Sequence, residues 1–294
     1  MIEIAYLTGA SYKGQPIAPG SLPALDAPSH QALVQAGAAH GLAFPIVRWD
    51  DAAAIARHPA ALIRSCWDYL QRPEAFVAAL EAAETAGVRL FNPAAVVRWN
   101  IRKRYLAALE AAGVPSLPTL WTERVDAAFV AEAFERLAAE ELVLKPEVGG
   151  GSWRTVRLKR GAWSEADLAE APPAAALAQA FLPSIAVDGE LSLHHFGGAF
   201  SHAVQKLPAA GGWLANHAHA DIAPCTPTAA QRETARAAIA AAPGPLLYAR
   251  VDLVRHPAGD WRVIELEAVE PHLHLAYAER SADRLCRVLR AALG

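Results

Sequence analysis

Apolar and polar positions alternate in two rhythms near the start of the chain. Short runs with a period of two residues predict strands, and longer amphipathic stretches between them predict helices. The predicted strands are 2–7, 44–47, 61–65 and 88–91, and the predicted helices are 29–39 and a segment after Pro73. Strands that alternate with helices are typical of a small open α/β sheet, which we assign to residues 1–92.

Residues 9–28 interrupt this rhythm, because they are rich in Gly, Pro and Ser. The segment is predicted to be a long loop. Loops of this length inside a compact domain are often functional or mobile.

Beyond residue 92 the pattern becomes richer in strands. A helix is predicted at 100–112, ended by Gly113, and a second helix near 126–139. The remaining predictions are strands at 142–145, 153–158, 176–181, 190–196, 199–207, 247–254 and 261–267, and a closing helix at 275–293. The whole pattern predicts a mixed α/β (α+β) chain with two further units, 93–178 and 179–294.

Composition narrows the classes of function. The chain has 294 residues, 53% of them hydrophobic, and a formal net charge of −3, so no excess of positive charge is available to hold a nucleic-acid backbone. No signal-like start and no long apolar span occur, which predicts a cytoplasmic protein without a membrane partner. The three scattered cysteines, Cys66, Cys225 and Cys286, are expected to be reduced core residues.

Lys145 ends an apolar strand immediately before a glycine-rich turn, Gly149-Gly150-Gly151-Ser152. Such a turn brings backbone N–H groups close to an anion, and the lysine adds a positive charge beside them. Phosphate is therefore the expected ligand. The segment is not a Walker A loop, since the lysine precedes the glycines and the chain continues as a strand. An ordinary hairpin after an edge lysine is the alternative.

A second candidate site lies on two neighbouring strands near the end of the chain. Alternation places Arg250 and Asp252 on one face of the first strand, and Glu265 and Glu267 on one face of the second. The hairpin turn predicted at 256–260 would pair the strands antiparallel and bring the three carboxylates together. Such a cluster needs cations, and oxygen ligands suit Mg²⁺. A solvated acidic face is the alternative.

Short motifs along nearly the whole chain occur in the order found in ATP-grasp enzymes, which the chain resembles. They are Asn100-Ile101-Arg102-Lys103, Gly113-Val114-Pro115, Val143-Leu144-Lys145-Pro146, the triple glycine, Gln179-Ala180-Phe181-Leu182, Gly189-Glu190, Arg250-Val251-Asp252 and Glu265-Leu266-Glu267. More narrowly, the chain resembles the branch with the O-ureido-serine cyclo-ligase of cycloserine biosynthesis, which is similar to glutathione synthetase and the RimK-like amino-acid ligases. The motifs of that branch are Arg64-Ser65-Cys66-Trp67-Asp68-Tyr69, Arg98-Trp99-Asn100 and His202-Ala203-Val204-Gln205-Lys206.

The resemblance implies a nucleotide site and its residues. ATP would be bound by two phosphate-facing lysines, a flexible glycine flap, a hinge that meets adenine and one further acid. In that order these are Lys103 and Lys145; Gly149, Gly150, Gly151 and Ser152; Gln179, Phe181 and Leu182; and Glu190. The Mg²⁺ ligands would be Asp252, Glu265 and Glu267, the last standing where the family commonly has asparagine. Lys206 and Arg250 would act near the transferred phosphate and beside the metal strand.

The resemblance also implies the activity and the units. It predicts an ATP-grasp fold with a pre-ATP-grasp domain at 1–92, a lid subdomain at 93–178 and a metal-carrying subdomain at 179–294. The activity would be that of an ADP-forming ligase, which activates a small amino-acid-like carboxylate as an acyl phosphate and joins it to an amine. A homodimer is a common expectation from the resemblance.

Several positions are assigned to the substrate with alternatives. Arg64 or Asp68 would contact substrate at the carboxyl end of a strand, or else form a buried salt bridge between subdomains. Asn216 and His217 lie in a stretch, 211–217, that lacks the arginine of related ligases. His219 and His272 are further candidates for the pocket, whereas His195 is expected to be a hydrogen-bonded interior residue. Zinc is not expected, because no cysteine lies near the histidines.

Two rival functions remain open from the sequence. One is a nucleotide-binding regulatory protein that has lost turnover, and the other is a small-molecule kinase.

Overall fold

A computed structural model describes residues 1–216 and 219–294 and shows three larger sheets and one small hairpin. The first sheet is parallel, with its strands in the order β4-β1-β6-β7 and β5 also paired with β1. The elements of this region are β1 (Ile2–Thr8), β2 (Ser11–Tyr12), β3 (Gln15–Pro16), α1 (Ala27–Ala39), β4 (Leu42–Ala43), β5 (Ile46–Arg48), α2 (Ala52–Ile55), β6 (Ala60–Ser65), α3 (Pro73–Thr85) and β7 (Arg89–Phe91). This is the open α/β sheet that the alternation predicted.

The second sheet is antiparallel, with the order β10-β9-β11-β8, and carries Lys145. The elements of this region are α4 (Ala94–Asn100), α5 (Tyr105–Ala111), β8 (Leu120–Thr122), α6 (Ala127–Arg136), β9 (Glu141–Pro146), β10 (Val156–Lys159), α7 (Glu165–Glu170) and β11 (Ala176–Ala180). Helix α6 packs its apolar face on this sheet around Val130 and Phe134.

The third sheet is also antiparallel, with the order β14-β13-β12-β15-β16. The elements of this region are α8 (Ile185–Asp188), β12 (Glu190–Phe196), β13 (Ala199–Pro208), β14 (Ala220–Cys225), α9 (Ala229–Ala240), β15 (Tyr248–Arg255), β16 (Trp261–Glu267) and α10 (Ser281–Leu293). Strand β15, which carries Arg250 and Asp252, is buried along almost its whole length.

Three predicted elements need correction. The helix predicted at 100–112 begins only at Tyr105, as α5. Asn100 instead ends the preceding helix α4, and its side chain bonds the backbone of Leu266 and Ala268. The strand predicted at 153–158 begins at Val156, since residues 151–154 form a turn. The closing helix is interrupted between a 3-10 turn (Leu275–Tyr277) and α10.

Helix α9 and strand β14 were not predicted. Helix α9 does carry a sequence signal, because Thr228 and Gln231 cap each other's backbone N–H groups in a capping box. Within residues 1–216 and 219–294, no helix has both the length and the apolar character required to cross a bilayer.

Candidate active site

The acidic strands β15 and β16 pair antiparallel, as predicted. Asp252 lies opposite Glu265, and Arg250 lies opposite Glu267. Asp252, Glu265 and Glu267 each offer a carboxylate oxygen, and these atoms all lie within 4.8 Å of one another. Asp252 is only 1% exposed, so the alternative of a solvated acidic face fails for this residue.

Basic side chains surround these carboxylates. Arg250 Nη2 lies 2.8 Å from Asp252 Oδ2 and also pairs with Glu267. Lys206 Nζ pairs with Glu190 and lies 3.6 Å from Asp252 Oδ2. Each of these residues comes from β12, β13, β15 or β16, whose neighbouring positions the sheet register brings together.

The pKa shifts reflect burial and these pairs. Burial raises the pKa of Glu267 to about 8 despite the nearby Arg250. Burial likewise raises the pKa of Glu190 to about 7, and Lys206 opposes this effect. Burial would also raise the pKa of Asp252, but Arg250 and Lys206 outweigh it and hold that pKa well below its usual range. The pKa is therefore raised for Glu190 and Glu267 and lowered for Asp252.

Lys145 approaches this cluster from β9 of the second sheet, and Lys103 approaches it from the segment between α4 and α5. Lys145 Nζ donates to Gln179 Oε1 at 3.1 Å, across the β9–β11 pair. Lys103 Nζ donates to the carbonyl oxygen of Gly149 at 2.7 Å and lies 3.0 Å from Glu265 Oε1. Lys103 therefore joins the glycine-rich turn to the acidic strands, and the two local signals of the sequence belong to one site.

Burial lowers the pKa of Lys145, although Glu265 partly opposes this effect. For Glu265 the largest effect is burial, which raises its pKa, but Lys103 and Lys145 outweigh it and the pKa is lowered. Lysine and carboxylate thus keep each other ionised.

The glycine-rich turn is tightly built at one residue. A Cβ on Gly149 would lie 2.5 Å from Pro146 Cγ, whereas one on Gly150 would meet only Leu70 at 3.9 Å. Gly151, Ser152 and Arg154 adopt positive φ angles, which explains why the predicted strand cannot start before Val156. The turn has backbone groups available to approach an anion without side chains in the way.

A cleft opens between the second and third sheets. Its walls contain most of the predicted nucleotide residues: Lys103, Lys145, Gly149, Gly150, Gly151, Ser152, Gln179, Phe181, Leu182, Glu190, Glu265 and Glu267. The hinge residue Phe181 stacks its ring under the Arg157 guanidinium, 3.6 Å away, and its N–H is already used by Glu141. Within the described chain, the N–H of Leu182 has no hydrogen-bond partner, so it is the hinge donor available to a purine.

A second cavity continues from this cleft toward the first sheet. The two share Lys103, Gly149, Gly150, Gly151, Trp153, Asn216, Glu265 and Glu267, so they meet at one lysine and two carboxylates. The second cavity is also lined by Lys206, Arg250, His272 and Glu270, and by Tyr12, Lys13 and Gly14 of the loop 9–28. The loop that the sequence singled out thus borders a cavity beside the cluster.

Arg64 and Asp68 both make contacts within the protein. Asp68 accepts hydrogen bonds from the N–H of Ala10 at 2.8 Å and from Trp49 Nε1 at 2.7 Å, and it lines neither cavity. Arg64 Nη2 donates to the carbonyl oxygen of Pro271 at 2.5 Å. Arg64 therefore links the first sheet to the segment after β16, which is close to the bridging alternative, although its partner is a carbonyl group.

The remaining predicted positions differ in their placement. Asn216 lines both cavities, and its Nδ2 donates to Ser152 Oγ at 2.9 Å. His217 lies outside the described residues. His219 is exposed and bonds Asn216, whereas His272 lines the second cavity. His195 is buried as expected, but its Nδ1 has no hydrogen-bond partner.

Sequence reasoning missed Glu270, Tyr69 and His274 as cavity residues. Glu270 follows the acidic strand directly, but the chain has left the sheet there, so strand alternation gives no guide to its direction. The only signal is a carboxylate within a few residues of Glu265 and Glu267.

The cleft between two antiparallel sheets, with lysines on one and carboxylates on the other, defines the class of protein as an ATP-grasp ligase. Solved structures of the same fold include the D-alanine–D-alanine ligase of Bacillus anthracis complexed with ATP, at a TM-score of 0.70, 12% identity and 100% coverage of both chains. Another is the ATP-grasp ligase PsnB complexed with minimal precursor, Mg and ADP, at a TM-score of 0.65, 19% identity and 98% and 97% coverage of this chain and that chain. At these identities the likeness shows the fold alone.

Closer similarities identify the branch. The chain is 32% identical over 289 residues to the cycloserine biosynthesis protein DcsG of Streptomyces lavendulae, covering 89% of this chain and 92% of DcsG. The crystal structure of D-cycloserine synthetase DcsG matches at a TM-score of 0.83 and 30% identity, over 99% of this chain and 100% of that one. Residues 4–92 match the family model of the DcsG N-terminal domain. The chain therefore belongs to the ATP-grasp ligases, in the branch of D-cycloserine synthetase, and is an ATP-dependent enzyme.

Proposed function

We propose that the protein is an ADP-forming ligase that activates a small, amino-acid-like carboxylate as an acyl phosphate and couples it to a nitrogen nucleophile. One observation carries this proposal. The cleft and the second cavity meet at Lys103, Glu265 and Glu267, so a phosphoryl group in the cleft and a carboxylate in the cavity would lie next to each other there.

The cleft suits ATP in our proposal. The hinge of Gln179, Phe181 and Leu182 meets adenine, and Glu190 contacts the nucleotide farther along the cleft. Lys103, Lys145 and the turn from Gly149 to Ser152 bind the phosphates, where positive charge and backbone N–H groups are concentrated. The units 93–178 and 179–294 then act as lid and floor, and 1–92 supplies the far wall of the cavity.

The acidic cluster suits Mg²⁺. Asp252, Glu265 and Glu267 offer oxygen ligands within 4.8 Å of one another, which is the donor type and spacing that this ion takes. When bound there, Mg²⁺ would neutralise negative charge on the phosphates.

The chain's own residues position the reacting groups. The substrate carboxylate attacks the γ-phosphorus of ATP, ADP leaves, and the nitrogen nucleophile then displaces phosphate from the acyl carbon. Lys145 and Lys206 stabilise the negative charge that spreads over the phosphoryl oxygens, and Arg250 holds Asp252 and Glu267 in place. Closure of the glycine-rich turn keeps water from the acyl phosphate.

Product analysis tests the proposal. Purified protein is incubated with ATP, MgCl₂ and pooled L- and D-amino acids, and phosphate release is measured alongside mass spectrometry of the products. We expect phosphate and ADP together with a product that has lost the elements of water. A stable phosphorylated substrate would indicate a kinase instead, and nucleotide binding without phosphate release would indicate a regulatory protein.

A further inference from the structure

Glu270 is a buried acid in the wall of the second cavity. It follows β16 at the point where the chain leaves the third sheet, and it is only 8% exposed. Tyr69, in the turn after β6, lines the same cavity, and its hydroxyl interacts with the Glu270 side chain. Two units of the protein therefore meet around one carboxyl group that borders the cavity.

Glu270 differs from the neighbouring acids in lacking a cationic partner. Glu190 pairs with Lys206, Glu265 with Lys103, and Glu267 with Arg250. Among residues 1–216 and 219–294, no Lys, Arg or His nitrogen lies within 4.0 Å of the Glu270 carboxyl group. A buried carboxylate without a counter-ion is costly, so a cation from outside the chain would stabilise it.

Arg64 and Lys103, whose positive charges act on Glu270, have other partners. Arg64 donates to the Pro271 carbonyl oxygen, and its guanidinium lies 5.4 Å from the centre of the Tyr248 ring. Its second terminal nitrogen, Nη1, has no hydrogen-bond partner but stays beyond ion-pair distance from Glu270. Lys103 is held by Gly149 and Glu265. Neither side chain can neutralise Glu270 without giving up these contacts.

A metal ion does not suit the position. Within the described chain, the group of three or more acidic, histidine or cysteine ligands that could hold a metal is Asp252, Glu265 and Glu267, and Glu270 is not part of it. One carboxylate beside a phenol offers too few oxygen ligands for a divalent cation. It does suit an ammonium group, which needs only one or two acceptors and water.

We propose that Glu270, oriented by Tyr69, binds the ammonium group of a small zwitterionic substrate. This inference rests on the proposed function, in that the second cavity is taken to be the substrate cavity. The lining of that cavity also contains Arg250 and Lys206, next to which the substrate's carboxylate would lie. Glu270 then selects amino acids over carboxylic acids of the same shape, and Tyr69 is a positioning residue.

Binding measurements with matched ligands test this inference without requiring turnover. The probes are L- and D-alanine, L- and D-serine, and L- and D-asparagine, each compared with the acid that lacks the α-amino group: propanoate, 3-hydroxypropanoate and succinamate. Titrations follow the melting temperature and heat of binding with Mg²⁺ and a non-hydrolysable ATP analogue present. The wild-type protein is expected to bind at least one amine-bearing probe about tenfold or more tightly than the matched acid without the α-amino group.

Three variants complete the design. Glu270→Gln keeps the shape and an acceptor for Tyr69, and is expected to lose about tenfold or more in affinity for the amine-bearing probe while the amine-free acids bind as before. Tyr69→Phe is expected to lose a smaller factor in affinity for the same probe. Glu279→Gln, an exposed glutamate on the same segment, should match the wild type.

The outcomes separate this inference from the proposed ligase activity. Equal affinity of wild type for both members of every pair, no binding of any amine-bearing probe, or unchanged affinity in Glu270→Gln would each overturn the assignment. A change in melting temperature alone, with ligand selectivity intact, would show a purely structural role and would also overturn it. Phosphate release, measured separately, decides the ligase proposal, because Glu270-dependent binding without phosphate release would contradict that proposal only.

Discussion

The positive charge of Lys145 depends on its neighbours. Burial alone lowers its pKa, and Glu265 opposes this effect, so the ammonium group is preserved for contact with a more negative ligand. Its one hydrogen bond, to the neutral Gln179 side chain, is weaker than a bond to phosphate would be. Lys145 is therefore poised to exchange an amide for a phosphate oxygen.

Replacing Lys145 by alanine is expected to lower kcat/KM by about a hundredfold to a thousandfold, in line with the loss of one charged donor to a phosphoryl group. Phosphate release under subsaturating ATP measures this. Lys159→Ala is the matched control, since Lys159 is an exposed lysine on the neighbouring strand β10. Equal losses in the two variants, or none in Lys145→Ala, would remove Lys145 from the site.

The raised pKa of Glu270 predicts how the free energy of unfolding depends on pH. Burial raises its pKa from 4.5 to about 7, against the weaker effects of the Tyr69 hydrogen bond, Arg64 and Lys103. Since the folded protein holds this proton more tightly than the unfolded chain, the stability contributed by the protonated group is complete below about pH 4.5 and is lost as pH rises through about 7.

Glu270→Gln cannot undergo this loss. Relative to wild type, the variant should therefore gain free energy of unfolding between about pH 5 and about pH 8, by about 3 kcal/mol. Urea denaturation of both proteins across this range, without added nucleotide or metal, measures the difference. If the free energies of unfolding of the wild type and the variant change in parallel with pH, Glu270 ionises normally in the folded protein.

At the scale of single elements, the glycine-rich turn is sensitive at one position. Gly149 packs against the rigid Pro146 ring and also presents its carbonyl oxygen to Lys103. Any shift of Gly149 therefore displaces a phosphate-facing lysine as well as the turn.

Gly149→Ala is expected to weaken binding of a non-hydrolysable ATP analogue by about tenfold or more, because the added Cβ overpacks the turn. Gly150→Ala is the matched control, since its Cβ would meet only Leu70 at ordinary contact distance. Isothermal titration with Mg²⁺ measures both affinities. An equal effect of the two substitutions would mean that Pro146 does not constrain the turn.

How well the sequence predicts an element depends on whether local residues determine it. The strands β12, β15 and β16 follow from alternation, and the hairpin between the last two brings Asp252 and Glu265 together as predicted. The break between α4 and α5 does not follow, because it depends on Asn100 bonding residues far along the chain. Helix α9 was missed since its alanine-rich face has little periodicity, although its capping box is visible.

The same limit applies to the candidate site. Lys145, Gly149 and the three acids could be found from local patterns and the family resemblance. Glu270 could not, because its direction is set by the packing of the first sheet against the segment after β16. The contacts of Asp68 could not be predicted for a similar reason, as its partners Ala10 and Trp49 come from other elements.

At the scale of the whole molecule, the first sheet is not packed as a separate body. Tyr6 and Leu62 of that sheet share one buried cluster with Phe196, Tyr248 and Leu285 of the C-terminal region. The Tyr248 hydroxyl lies 2.9 Å from the carbonyl oxygens of both Ile63 and Phe91 and 2.7 Å from that of Val269. Residues 1–92 thus form a recognisable sequence unit that shares its core with the rest of the chain.

Tyr248→Phe is expected to lower the free energy of unfolding by about 1–3 kcal/mol, because buried carbonyl groups lose their hydrogen-bond donor. The denaturant transition should remain single for both proteins. Tyr277→Phe is the matched control, since within the described chain the Tyr277 hydroxyl makes no hydrogen bond. A separate early transition for the first sheet would contradict the shared core.

The pairing of acids and bases at the candidate metal position has a consequence for the order of events. Asp252, Glu265 and Glu267 each already hold a cationic side chain, so a divalent ion arriving alone would have to break these pairs without giving the lysines and arginine new partners. The phosphates of ATP would supply those partners. If Mg²⁺ binds at this position as proposed, the site would accept the metal together with the polyphosphate and would have little affinity for the metal alone.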